Sequence, residues 1–301
     1  MFRNYKIGLS VVNYNASSKI IELVERIIDY GTIDNIVIVD NGSTDNSLEE
    51  LKTISKYKKV KLIDAHFNGG WSYGQNIGCK YLKEECIADY AVIMSPANYF
   101  TEETLISLID SLSVNKKFAV LAPVLKDIDS SKKDPKFAWE RPSYIDFITQ
   151  NFFIFKKYYD TLNKGNYTIP LCDEKKIIPV EVVPGSFYLI DINILCRVNY
   201  YDEDIFLYNE ENVLSSKLND IGYYEGILSN TEYFHELGYT MKKNFNETNA
   251  LKFLRDSQYV YAKKYLKASN FKLFILKITQ RYEIFENKII GIIRFFIKEK
   301  T

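Results

Sequence analysis

The chain has 301 residues, 47% of them hydrophobic, and its 39 basic residues balance 39 acidic ones. This length and apolar content allow one large or two modest domains, and a net charge of zero argues against nucleic acid as a partner. Residues 1–12 lack a secretory signal, and no segment reaches the roughly 20 apolar residues of a membrane span, so we expect a cytoplasmic protein.

Short apolar runs alternate with amphipathic segments from residue 7 to residue 124. The runs predict buried strands, and the segments with helical spacing predict helices. The predicted order is strand Ile7–Val12, helix Lys19–Tyr30, strand Ile36–Val39, helix Leu48–Tyr57, strand Val60–Asp64, helix Trp71–Leu82, strand Tyr90–Met94, helix Thr101–Leu112 and strand Phe118–Val124. This alternation predicts a doubly wound α/β fold with a mostly parallel sheet flanked by helices.

The pattern changes in the second half of the chain. Residues Lys126–Lys176 combine charges, prolines and clustered aromatics, which indicates a loop or lid over a functional site. The sheet is expected to resume over Val180–Ile190, and the chain to be helical from about Thr248 onward. We therefore predict a domain over residues 1–245 and a helical C-terminal extension over 246–301.

Polar residues follow the first two predicted strands directly. They are Asn13, Tyr14 and Asn15 after the first strand, and Asp40, Asn41 and Ser43 after the second. Ligands of open α/β sheets bind beyond the carboxyl ends of the strands, and adjacent parallel strands end at the same edge. An ordinary turn at each strand end is the alternative interpretation.

Three glycines lie just before and within the predicted helix Trp71–Leu82. Gly70, Gly74 and Gly78 share one helix face, and each costs about 1 kcal/mol relative to alanine. Close packing on the sheet would offset this cost, and so would a ligand at the helix N-terminus, where free N–H groups favour anions. Polar side chains interleave with the glycines at Asn68, Ser72 and Asn76. Neither the dinucleotide fingerprint nor the Walker loop is present.

An acidic pair and a histidine are the remaining candidates. Glu210 and Glu211 follow the apolar residues around Phe206, and adjacent carboxylates of this kind can supply a general base. A solvated helix N-terminus explains the same pair, because acids favour the helix dipole there. His235 is one of only two histidines, and its local sequence does not distinguish a ligand from a structural residue.

Taken in order, these motifs resemble the inverting glycosyltransferases of family 2, and among them the bacterial rhamnosyltransferase-like enzymes. The segments that carry the resemblance are Val11–Asn15, Val39–Asp45, Asn68–Gly78, Phe206–Glu211 and His235. The resemblance covers roughly residues 5–240 and implies a GT-A fold. It divides the domain into a nucleotide-binding half over about residues 1–125 and an acceptor half over about 126–245.

The resemblance implies inverting transfer of a hexose from a dTDP- or UDP-sugar, with rhamnose favoured. The acceptor would be a glycan or a lipid-linked saccharide in bacterial cell-surface polysaccharide synthesis. Glu211 would be the catalytic base beside Glu210, and Asp40 would accept a hydrogen bond from the nucleobase. The other implied nucleotide-sugar contacts are Asn13, Tyr14, Asn15, Asn41, Ser43, Asn68, Gly70, Ser72 and Asn76.

One position departs from the family pattern. The family usually carries an acid after the fourth strand that holds a divalent cation, Mg²⁺ or Mn²⁺, on the donor diphosphate, and Ala97 stands there. Three accounts follow: a cation held by Asn98 and His235 with water, an enzyme without a tightly bound cation, or a catalytically impaired nucleotide- or glycan-binding subunit. Neutral amide oxygens such as that of Asn98 are weaker ligands for a hard cation than a carboxylate.

Residues 271–301 have an apolar helical stripe and an excess of Lys and Arg over Glu. A basic amphipathic helix fits an anionic membrane surface, which would make the protein peripheral on the inner face of the cell membrane. Packing against the domain or in a homodimer is the alternative.

Overall fold

The computed structural model describes residues 3–127, 138–152, 174–236 and 247–283. The elements up to residue 127 are β1 (Ile7–Asn13), α1 (Ser17–Ile27), β2 (Asn35–Asp40), α2 (Ser47–Leu51), β3 (Val60–Asp64), α3 (Trp71–Glu84), β4 (Tyr90–Met94), β5 (Asn98–Tyr99), α4 (Glu102–Val114) and β6 (Phe118–Asp127). β3 and β4 begin and end where the sequence predicts.

The predicted helix Leu48–Tyr57 is wrong in its length. α2 ends at Leu51, and a single 3₁₀ turn over Lys52–Ile54 follows it. The Thr53 hydroxyl donates to the Glu50 carbonyl at 2.6 Å, so a side chain competes for a helix acceptor. β-Branched side chains at this point also disfavour a longer helix.

The remaining elements are α5 (Tyr144–Gln150), β7 (Ile177–Val180), β8 (Phe187–Asp191), α6 (Ile192–Arg197), α7 (Glu210–Asp220), β9 (Tyr224–His235), α8 (Glu247–Lys264) and α9, which is helical over 270–283. The sheet resumes in this region as expected, but over two strands: β7 ends at Val180, β8 begins at Phe187, and a turn around Pro184 separates them. Proline has no N–H for a strand ladder. Of the predicted loop Lys126–Lys176, residues 128–137 and 153–173 lie outside the described residues.

Within the described part of the chain, nine strands form one sheet in the order β3-β2-β1-β4-β8-β6-β9-β5, and β7 also pairs with β9. The pairs β1–β2, β2–β3, β1–β4 and β6–β9 are parallel. β8 runs antiparallel to β4 and β6, and β5 and β7 run antiparallel to β9. This mixed, mostly parallel sheet with flanking helices confirms the predicted fold class.

The hydrophobic core is built from the continuous apolar runs of the sequence. Every residue of β4 is buried, and so are Ile36–Asp40 of β2, as expected for strands covered on both faces. α3 packs on β1 through its glycines: a Cβ at Gly74 would lie 2.8 Å from the Val12 side chain, and one at Gly78 only 2.2 Å from Ser10 Oγ. Close packing therefore accounts for both residues.

A second apolar cluster joins the C-terminal helices to the rest of the protein. It consists of Phe147, Ile205, Val213, Tyr261, Ala262, Leu273 and Leu276, all of them buried. α8 and α9 thereby pack against α5 and α7. None of the described helices is long and apolar enough to cross a membrane.

We expect Gly78→Ala to destabilise the fold by about 1–3 kcal/mol, as overpacked core substitutions do. Ser10 Oγ cannot move aside freely, because it donates to Gln75 Oε1 at 2.7 Å inside the core. Denaturant unfolding monitored by circular dichroism measures this change. Gly31→Ala is the matched control, since a Cβ there would lie 3.7 Å from its nearest neighbour. Equal stability of the two variants would contradict the packing account.

Candidate active site

Asp40 forms the centre of a buried polar corner where β1 and β2 end. Asn13 lies opposite Asp40 in the parallel ladder, and its Nδ2 donates to Asp40 Oδ1 at 2.7 Å. The Ser43 hydroxyl donates to the same oxygen at 2.7 Å, and the Ser43 N–H donates to Oδ2 at 3.1 Å. The predicted meeting of the two strand ends is confirmed. Asp40 is only 1% exposed, so in this conformation its carboxylate holds the corner together and is closed to a nucleobase.

Asn15 holds the turn that follows β2. Its backbone is left-handed with φ +53°, and its Oδ1 accepts from the N–H of Thr44 at 2.8 Å and of Asp45 at 3.2 Å. Tyr14 and Ser43 are half-buried at the same edge. These residues form the outer side of the corner, where a ligand has access.

An exposed aromatic ring lies beside this corner, and the sequence analysis did not predict it. Phe67 is 57% exposed, and its ring lies 4.8 Å from that of Tyr73. Gly42, with φ +67°, allows this chain segment to approach, since a Cβ there would lie 2.5 Å from the Phe67 carbonyl carbon. The sequence signal that could have identified it is a phenylalanine directly before the polar and glycine residues Asn68–Gly70.

The start of α3 carries a second set of polar groups. Asn41 Nδ2 donates to Asn68 Oδ1 at 3.1 Å and to the Gly70 carbonyl at 3.0 Å. Asn41 Oδ1 and Ser72 Oγ are buried and find no hydrogen-bond partner in the described structure. Because buried polar atoms are nearly always satisfied, these two atoms indicate water or a ligand at this helix start.

Asn76 has a different role from the predicted nucleotide contact. Its Nδ2 donates to the Tyr201 carbonyl at 3.0 Å and to Glu203 Oε1 at 2.8 Å, and its Oδ1 accepts from the Tyr201 N–H at 2.9 Å. The side chain is 3% exposed, so it fixes the loop before α7 and does not face a ligand. Gly70, with φ +90°, supports the same loop, since a Cβ there would lie 2.4 Å from the Phe206 carbonyl oxygen.

This loop ends in two left-handed residues that set the direction of α7. Tyr208 and Asn209 have φ values of +68° and +63°. Asn209 Nδ2 donates to Ser257 Oγ of α8 at 3.0 Å, which ties the C-terminal helices to the start of α7. Glu210 and Glu211 are the first two residues of α7; Glu210 is buried and Glu211 is half-buried.

The turn over residues 184–186 connects Glu211 with the segment after β4. A Cβ at Gly185 would lie 2.4 Å from Glu211 Oε1, so only glycine lets the carboxylate approach this closely. The Ser186 carbonyl accepts from the Ser95 N–H at 2.8 Å and from Asn98 Nδ2. β4 is parallel to β1, so Ser95 leaves the sheet at the same edge as the Asp40 corner.

Burial sets the electrostatics of the acidic pair. It raises the pKa of Glu210 well above the ordinary range, and the neighbouring Glu211 charge raises it further. Burial also raises the pKa of Glu211, but the N–H groups of Glu211 itself and of Gly185 partly offset this effect. Of the two, Glu211 has the solvent access and the donors that a working base needs.

Glu225 of β9 is a third buried acid that the sequence prediction missed. Its Oε2 accepts from the Val183 N–H at 2.8 Å, and Oε1 has no partner in the described structure. Burial is the main cause that raises the pKa of Glu225 to about 8; the Glu211 charge adds to it and Arg141 opposes it. β9 also contains Ser229, Thr231 and Glu232, so no signal in the sequence distinguishes Glu225 from the other polar residues of this strand.

Asn98 and His235 meet where β5 pairs with β9. His235 Nδ1 lies 2.5 Å from Asn98 Oδ1, and the two residues are opposite each other in the ladder. Ala97 is buried, and its carbonyl accepts from the Glu236 N–H at 3.1 Å. Arg26 Nη2 donates to the Asn98 carbonyl at 2.6 Å, which places a positively charged side chain near this segment.

The residues around Asn98 and His235 do not fit a cation held by the protein. The Asn98 amide is already engaged through both polar atoms, with His235 and with the Ser186 carbonyl. Across the residues that the structure describes, no group of three His, Cys, Asp or Glu side chains could hold a metal ion. A hard divalent cation requires more oxygen ligands than this segment offers.

Sequence comparison extends the resemblance beyond single motifs. The family model of Glycosyl transferase family 2 matches residues 9–173. The low-salt glycan biosynthesis hexosyltransferase Agl10 of Haloferax volcanii is 21% identical over 207 residues, which make up 68% of this chain and 59% of that protein. This chain thus spans about three fifths of the length of that curated relative.

Comparison of structures gives the same fold. GalNAc-T7, solved with UDP, GalNAc and Mn²⁺, matches 87% of this chain and 51% of its own, with a TM-score of 0.60 and 14% identity. The mannosyltransferase PcManGT from Pyrobaculum calidifontis, solved with GDP-Man and Mn²⁺, matches 93% of this chain and 70% of its own, with a TM-score of 0.55 and 13% identity.

We expect Glu225→Gln to flatten the pH dependence of stability. The folded chain keeps the Glu225 proton up to about pH 8, whereas the ordinary pKa is 4.5, so stability falls as pH rises through this window. Glutamine cannot lose a proton. The variant should therefore lose less of its Tm than the wild type between pH 5 and about 9, as measured by calorimetry.

Glu49→Gln is the matched control for this experiment, because the same change is made at an exposed acid on α2. Its Tm should fall with pH as the wild-type Tm does. Parallel wild-type and Glu225→Gln curves would contradict the assignment of a buried proton to Glu225.

Proposed function

This chain belongs to glycosyl transferase family 2, and we propose that it transfers a hexosyl group from a nucleotide-sugar donor to an acceptor hydroxyl with inversion. The observation that carries the proposal is the position of Glu211. Its half-buried carboxylate lies against Gly185, in a turn that bonds to the segment after β4 at the strand-end edge of the sheet.

Glu211 acts as the general base in this proposal. It removes the proton of the acceptor hydroxyl while the acceptor oxygen attacks the anomeric carbon from the face opposite the leaving diphosphate. A raised pKa suits this task, because a base whose pKa approaches the working pH accepts a proton more readily. Glu210 stays protonated beside it, since it is buried and shares its surroundings with a second carboxylate.

The donor nucleotide binds at the outer side of the Asp40 corner. Tyr14, Ser43 and Asn68 offer polar groups there, and Phe67 offers an exposed ring on which a base can stack. Asp40 and Asn13 hold these groups in place from below. UDP- and dTDP-sugars are the proposed donors, with rhamnose as the favoured sugar.

The acceptor is a glycan or a lipid-linked saccharide in cell-surface polysaccharide synthesis. Support comes from the resemblance of the motifs and from the Haloferax relative, which is named for glycan biosynthesis. The second half of the domain, over about residues 126–245, supplies the acceptor side in this proposal, because it contributes Glu211 and the turn over 184–186.

Donor binding depends little on a divalent cation in this proposal. If a cation came with the diphosphate, His235 would be the side chain available to hold it, and a single imidazole would be a weak ligand for a hard ion. The free N–H groups at the start of α3 supply positive charge for the diphosphate instead.

A catalytically impaired nucleotide- or glycan-binding subunit is the second candidate function. Ala97 favours it, because alanine at this position removes a carboxylate that the family usually provides. Transfer or donor hydrolysis by the purified chain distinguishes the two candidates.

We expect Glu211→Gln to lower the turnover number by about 100-fold or more, while nucleotide affinity stays unchanged. Glutamine keeps the size of the side chain but cannot accept the proton. Glu210→Gln is the matched control, and it should lose far less activity because its carboxyl is already neutral. Near-normal turnover of Glu211→Gln would exclude Glu211 as the base.

We expect Mg²⁺ or Mn²⁺ to change the Kd for UDP and dTDP by less than about tenfold in the wild type. Ala97→Asp supplies the missing carboxylate and should make the affinity depend on the cation. Titration calorimetry with and without each cation measures both. A strong cation requirement in the wild type would contradict the proposed binding mode.

A further inference from the structure

α9 presents an apolar face to solvent on the side opposite its packing face. Phe271, Phe274, Ile278 and Tyr282 are 72%, 60%, 46% and 46% exposed. Their spacing of three and four residues puts them on one side of the helix. Four large apolar side chains in a row on an outer surface indicate an interaction site.

The opposite face holds α9 firmly on the protein. Leu273 and Leu276 are buried in the second apolar cluster. Asn151 Nδ2 donates to Thr279 Oγ1 at 2.9 Å, and Glu283 forms a buried ion pair with Arg255 at 2.8 Å. These contacts fix the orientation of α9. The helix therefore cannot rotate about its axis to bury the outer face on its own domain.

Cations flank the apolar face of α9. Lys272, Lys277 and Arg281 are exposed, and no ion pair to any of them occurs in the part of the chain that the structure describes. Glu283 is the only acid in 270–283, and it points inward to Arg255. The outer face thus combines apolar side chains with an uncompensated positive charge.

This charge pattern decides between the two predicted partners of the C-terminal extension. Two copies joined through α9 would bring together cations from both chains with no acid between them, which is unfavourable. We propose that α9 binds an anionic membrane surface, with its aromatic and aliphatic side chains in the headgroup region and its cations on the lipid phosphates. The proposal rests on α9 alone, because residues 284–301 lie outside the described residues.

Co-sedimentation of the full chain with vesicles tests the proposal. We expect binding to vesicles of equal parts phosphatidylglycerol and phosphatidylcholine, weaker binding to phosphatidylcholine alone, and a decrease as salt is added. The double variant Phe274→Ser/Ile278→Ser and the double variant Lys277→Glu/Arg281→Glu should each weaken binding by about tenfold or more. All four side chains are exposed, so both variants should fold, which circular dichroism checks.

Val114→Ser is the matched control, since Val114 is 74% exposed at the end of α4 and should not affect binding. Equal binding by the wild type and both double variants would overturn the proposal, as would no binding to the anionic vesicles. A wild-type dimer that Phe274→Ser/Ile278→Ser converts to a monomer in light scattering would assign the face to a second copy instead. None of these outcomes depends on sugar transfer, so the proposal can fail or hold independently of the proposed function.

Discussion

Two buried carboxylates and one half-buried carboxylate around a single turn form the constraint on which the site depends. Glu210, Glu211 and Glu225 cannot all ionise in a low-dielectric space, so their surroundings must separate their protonation states. Glu225 bonds the Val183 N–H at the start of the turn, and Glu211 lies against Gly185 at its centre. The remaining negative charge therefore lies mainly on Glu211, the half-buried residue of the three.

The rest of the fold holds this turn against the strand-end edge of the sheet. The glycine face of α3 brings that helix close to β1, and Asn76 then fixes the loop that leads to α7. Asn209 ties the start of α7 to α8. The C-terminal helices therefore stabilise the position of Glu211 as well as presenting the outer face of α9.

The sequence predicts most of the fold because its strands are continuous apolar runs that end at polar residues. The same pattern locates Asp40 and Asn13, since parallel strands end at one edge. It cannot reveal the partner of Asn76, which is a backbone group 125 residues further along the chain. Glu225 was missed for a related reason: its effect comes from burial beside Glu211, which only the tertiary structure creates.

The pH dependence of kcat for wild-type transfer, measured with a donor and acceptor found by screening, tests the central claim most directly. The account predicts that kcat rises with pH through one deprotonation whose apparent pKa lies above the ordinary glutamate value, and that the product has the inverted anomeric configuration. A rate independent of pH across the range where the chain stays folded, or a product with retained configuration, would contradict it.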